Sequence, residues 1–291
     1  MLPLAVSEHY RAQQRLIVAT LGLTRREWAK MGPDFDASWV QVGPRVTLLT
    51  ASAQLGAARA GAAYVPAALA ELGQSVDPVA EVNPGGFAGV ASDGRGLDSL
   101  LYGGVTTAKD AARTLPPTDA LAAGGRWLDM VVHTMVADAA RGATGVGIAA
   151  RPKVGWVRMV NPPCCSRCAV LAGKFFRYNQ GFQRHPRCDC THVPTTQGDF
   201  GALTDDPPLD QIKGLSAHER QAISDGADLN QVVNARRGAS GMTTTEGTTK
   251  RGLARQRLGA GRRRLTPDAI YRLSSDRAEA LALLRQNGYV L

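Results

Sequence analysis

Apolar residues recur at helical spacing over residues 7–30, with Tyr10, Ile17, Leu21 and Trp28 on one side. Ser7 stands as a cap at the start, and Gly32-Pro33 ends the run. A second helix is predicted from Val46 to Leu72, where Ala51, Ala53, Gly56, Ala57, Ala60, Gly61 and Ala63 would let a neighbour come close. Pro66 is expected to kink or end it. Residues 73–105 are rich in Gly, Pro, Asn and Asp and read as a long irregular connection, with one short helix around Leu97–Leu101. Behind Thr118, taken as a cap, helical spacing resumes with Leu121, Leu128, Val132 and Met135 as far as Arg141-Gly142.

The period changes to two over Val154–Val160, which predicts a strand delivered to Asn161-Pro162-Pro163. Lys174–Tyr178 is also strand-like. Residues 195–214 read as loop, after which Ser216 and Glu219 form a capping-box pattern that opens a short helix over 217–225. Another follows at 228–236, and Thr266-Pro267 starts a last helix with Ile270, Leu273, Leu281 and Leu284 on one side.

Charge changes the picture in one place. The chain carries +9 overall, and +8 of this lies between Arg236 and Arg264: nine basic residues (Arg236, Arg237, Lys250, Arg251, Arg255, Arg257, Arg262, Arg263, Arg264) against one acid, Glu246. With Gly and Thr between the charges and no apolar period, 239–264 is expected to be flexible and to meet nucleic acid through phosphates. No stretch approaches the ~18 apolar residues of a membrane span, so no membrane partner is expected. The opening Met1–Val6 lacks a basic n-region, so no secretion signal is expected either.

The chemistry is concentrated in the cysteines. All five (Cys164, Cys165, Cys168, Cys188, Cys190) fall within 27 residues. A disulfide framework would spread them and would leave none over, so the cluster points to metal ligation in a reducing cytoplasm. Cys165-x-x-Cys168 followed by His185-x-x-Cys188-x-Cys190 gives two paired gaps separated by 16 residues, the plan of a structural zinc site. Five residues compete for four places. Cys165, Cys168, His185 and Cys188 are favoured, with Cys190 as the rival to His185, because Cys188 and Cys190 reach one ion only through a local bend. Cys164 and His192 stand further back, and unliganded thiols in a small core are the plainer alternative. The fold class that follows is mainly α with a small β-containing zinc-binding module, α+β overall. Its parts are a helical N-terminal domain (1–150), a Cys/His zinc-binding module (151–200), short helices (201–238), a basic flexible segment (239–264) and a C-terminal helix (265–291).

A catalytic zinc would keep an open position beside a carboxylate base, but here the ligands suffice to close the site and Asp189 is the only acid near them. His9, His133 and His218 are isolated, and no Walker-type glycine loop or Ser-His-Asp order is present. No catalytic residue is therefore assigned.

The run from Asn161-Pro162-Pro163-Cys164-Cys165-Ser166-Arg167-Cys168 to Lys174-Phe175-Phe176, closing in His185-Pro186-Arg187-Cys188-Asp189-Cys190, resembles the signature of Mu F-like phage minor head proteins, above all the actinobacterial phage and prophage versions. The tract Ala222–Gly238, the N-terminal His9-Tyr10-Arg11-Ala12-Gln13-Gln14 and the final Leu265–Tyr271 are similar to those proteins too. Cys164 stands where such proteins are expected to carry a small non-ligand residue. The resemblance implies a low-copy minor capsid protein of head morphogenesis. It would sit in the virion head, and in the host cytoplasm during assembly, with the portal, other head proteins and phage DNA as partners. A maturation enzyme, either a cysteine peptidase built on Cys164 and His192 or a zinc-module nuclease, is the alternative. A DNA-binding regulator is a third reading, but 169–184 offers it no obvious recognition helix.

Overall fold

The computed structural model describes residues 2–180, 186–188, 190–196, 203–204, 206–233 and 264–291. Among them the chain is mostly α-helical, with a small β region beside the cysteines. Three long helices carry the body: α1 (Leu4–Trp28), α2 (Phe35–Glu71) and α5 (Pro117–Ala149). Two short ones, α3 (Leu97–Leu101) and α4 (Gly103–Ala111), pack against α2 and α5.

Both prolines of α2, Pro44 and Pro66, lie inside a continuous helix, which therefore does not end at Pro66. A proline removes one helical hydrogen bond at a cost of about 3 kcal/mol. Here the same turns bury Tyr64, Val65, Ala68 and Leu69 against α5 and the sheet, and that burial outweighs the loss. The helix also begins eleven residues before Val46, because the Asp34 side chain accepts a hydrogen bond from the Ala37 amide and caps it.

Helix α4 replaces the last part of the expected irregular connection. Its Gly103-Gly104 pair, which reads as loop, instead allows close approach: a Cβ on Gly104 would lie 3.2 Å from the Trp28 ring, and one on Gly124 of α5 would lie 2.5 Å from the Gly104 carbonyl oxygen. Helix α5 starts one residue before Thr118, with Pro117 in its first turn, and continues past Gly142 to Ala149.

Strand β1 (Val154–Met159) is buried along its whole length. It is the centre of a three-stranded antiparallel sheet, between β3 (Phe175–Phe176) and β4 (Thr191–Thr196). Trp156 pairs with Phe176 on one side and Pro194 on the other, and Arg158 pairs with His192. A separate parallel pair joins β2 (Cys164–Cys165) to β5 (Ile212–Lys213), inside the stretch expected to be loop. Helix α6 (Ser166–Leu171) follows β2 directly. The Ser216–Glu219 capping box is formed in full at the start of α7 (Ala217–Ser224), and 229–233 are helical.

The expected single C-terminal helix is two, α8 (Pro267–Leu273) and α9 (Arg277–Gln286), divided where Asp276 caps the second. Their Ile270 and Leu284 are fully buried against α5. The tail is tied down by an Asn83 amide to Tyr289 carbonyl hydrogen bond of 2.8 Å and a Val82–Val290 bridge. Among the described residues, no helix is long and apolar enough to cross a membrane.

Candidate metal centre

Strand β2 ends at Cys165, which is also the N-cap of α6; its Sγ accepts a hydrogen bond from the Cys168 amide at 3.3 Å. A two-residue gap at a helix start therefore brings both sulfurs to the same end of one short helix. The second half of the set comes from the turn at Pro186-Arg187, where Arg187 takes φ 61° and so bends the chain sharply before Cys188. Cys190 leads directly into β4.

The sulfurs of Cys168, Cys188 and Cys190 all lie within 4.8 Å of one another, and all three residues are buried. An ion about 2.3 Å from each thiolate would require sulfur separations near 3.8 Å, so a small contraction of this group would hold one metal ion. Cys165 caps the same helix and its Sγ contacts the Cys168 amide, but it is not one of the sulfurs that lie within 4.8 Å of one another.

Three helices and the sheet close the site. Arg141, deep in α5, donates from Nη1 to the Cys188 carbonyl at 2.5 Å and from Nη2 to Asp138 at 2.7 Å. The Arg187 amide donates to Thr134 Oγ1 at 3.2 Å, so the turn is fastened to α5 twice. From β1, Arg158 is 1% exposed and directs Nη2 to the sulfurs of Cys168 at 3.3 Å and Cys188 at 3.6 Å. The thiols do not titrate alike. Hydrogen bonds from Cys168 and Cys190, helped by the charges of Arg141 and Arg158, hold Cys188 well below the ordinary thiol range. Sharing with Cys165, Cys188 and Cys190, together with burial, pushes Cys168 well above it.

One expectation changes. Cys190 is one of the three converging sulfurs, and is therefore no longer merely a rival. His185, the favoured nitrogen ligand, lies outside the described residues, as does Asp189. Cys164 is buried in the same apolar cluster, but it is not part of the converging group. His192 is occupied elsewhere: its ring stacks on Trp156 at 3.7 Å, and Trp156 stacks on Phe176 at 4.4 Å.

The basic residues Arg236, Arg237, Lys250, Arg251, Arg255, Arg257, Arg262 and Arg263 also lie outside the described residues. Arg264 is described: its guanidinium donates to the carbonyls of Asn287 and Gly86 at 2.5 and 2.6 Å and stacks 4.0 Å from the Tyr289 ring, so it takes part in a C-terminal clasp.

Sequence reasoning missed Arg158 and Arg141. The signal for Arg158 was there: it shares a strand face with Val154 and Trp156, so a charge stands where the period-two pattern calls for an apolar side chain. Arg141 was hidden because Arg141-Gly142 reads as a helix end. No protein-family model matches this chain, and no curated protein or solved structure matches it.

Proposed function

We propose that the chain is a phage minor head protein of the Mu F-like kind, in which Cys165, Cys168, Cys188 and Cys190 hold one structural zinc ion. The observation that carries the metal part is the convergence of three buried sulfurs within 4.8 Å beside a fourth at the α6 cap. Four thiolates in a closed tetrahedron suit zinc, which brings no redox chemistry and no preferred geometry of its own. The ion would staple β2, α6 and the Cys188 turn, none of which has a large apolar core of its own. The head assignment rests on the resemblance of the cysteine signature and of the tracts near both ends.

In this reading the helical body attaches to the portal or neighbouring head proteins, and the basic segment faces packaged DNA. Full-length protein should co-sediment with proheads and be found in purified virions. Protein found only free in the host cytoplasm would overturn the assignment. For DNA, six or seven phosphate contacts would make log K fall against log salt with a slope of about −5 to −6. Changing Arg255, Arg257, Arg262 and Arg263 to Gln should flatten that slope; an unchanged slope would remove DNA as a partner of this segment.

A maturation enzyme is the second reading, in which a cysteine thiolate would be the nucleophile. Against it, Cys188 is 2% exposed and enclosed by Arg158, Cys168 and Cys190. A peptidase on Cys164 and His192 would lose all activity on Cys164→Ala; a structural protein would be incorporated as before.

A further inference from the structure

We infer that Arg158 is a positioning residue of the metal centre, holding the Cys168 and Cys188 sulfurs together and offsetting the centre's excess negative charge. The inference rests on reading the cluster as a metal site. Four thiolates around a divalent ion leave two negative charges in excess, and buried charge is stable only beside a partner. Arg158 is such a partner by placement: it stands on the central strand, almost fully buried, with Nη2 3.3 Å from one sulfur and 3.6 Å from the other.

The two sulfurs come from different halves of the ligand set, Cys168 from α6 and Cys188 from the turn before β4. One guanidinium group therefore bridges both halves. Neutral thiols are weak acceptors for a buried cation, whereas metal-bound thiolates make the same contacts charge-assisted. Arg141 has a different part. It is paired with Asp138 and reaches the carbonyl of Cys188, so it sets the backbone of the turn. A lysine at 158 would keep the charge and lose the planar fork that spans two acceptors.

The test uses the full chain as wild type, Arg158→Met and Arg158→Lys. Each is loaded with cobalt(II) as a spectroscopic probe, then titrated with zinc against a chromophoric chelator. Wild type should show the intense sulfur-to-cobalt charge-transfer absorption of a four-thiolate tetrahedron. Arg158→Met should bind zinc about 10- to 100-fold more weakly, the usual cost of losing an outer-sphere partner. Its cobalt bands should shift, and its thiols should be alkylated faster in the loaded protein. Arg158→Lys should recover part of the affinity. Should Arg158→Met fail to fold, the lysine variant decides: affinity and spectrum identical to wild type would overturn the positioning role. Where both variants fold, equal weakness would overturn the charge argument, and wild-type behaviour in both would overturn the inference while leaving the metal site standing. Wild-type protein that binds neither cobalt nor zinc would instead overturn the underlying metal reading.

Discussion

His9 lies flat against Tyr64, with ring centroids 4.3 Å apart and planes within 7°. Burial lowers its pKa from 6.5 to about 4, because the core disfavours the charged imidazolium. In the unfolded chain the ring takes up a proton near pH 6.5 that the folded protein refuses. The stability it contributes is therefore complete above that pH, falls as pH drops through the window from 6.5 to about 4, and changes no further below it. The loss across the window is on the order of 3 kcal/mol at most. Comparing wild type with His9→Phe by urea unfolding at pH 7.5 and 4.5 isolates it: the variant should lose less stability on acidification by about 2–3 kcal/mol. Parallel pH dependences would show that this ring stays solvated. At the residue scale the sequence disclosed which side chains could bind metal but not which of them would. Spacing brings Cys165 and Cys168 together through one helix turn, which is local. Whether Cys188 joins them depends on the turn at Arg187, which in turn is fastened to Thr134 more than fifty residues away.

Elements were legible where their signal was local, as in the Ser216 capping box and the period-two run of β1. They were misread where packing overrode a local breaker, as at Gly103-Gly104. The small residues of α2 were correctly expected to admit a neighbour, and the neighbour is α5. At Gly61 a Cβ would collide with the Ala140 carbonyl oxygen and reach 3.0 Å from Thr144 Oγ1; at exposed Gly56 it would meet only Leu16, at 3.8 Å. Gly61→Ala should therefore destabilise the protein by about 1–3 kcal/mol through forced separation of the two helices. Gly56→Ala should stabilise it by about 0.5–1 kcal/mol, since alanine loses less entropy in a helix. Urea midpoints of the two variants check both signs, and equal effects would mean that α2 and α5 do not cross at Gly61.

In the whole molecule, the helical cores and the cysteine cluster are separate apolar groups joined by few strong ties: Arg141 to the Cys188 turn, Arg187 to Thr134, and the buried sheet behind them. The change of period at Val154 was visible in the sequence, and it marks β1 beside the cysteines. The ties between the helical cores and the cysteine cluster join residues far apart in the chain, so no local pattern discloses them. In the proposed reading these ties surround a metal ion held by sulfur. Elemental analysis of full-length protein purified without chelator tests it most directly, on wild type beside Cys168→Ser, Cys190→Ser and His185→Ala. The account predicts about one zinc per chain in wild type and in His185→Ala, and loss of the metal in both cysteine variants. Wild-type protein without zinc, or zinc that departs with His185 and stays without Cys190, would contradict it.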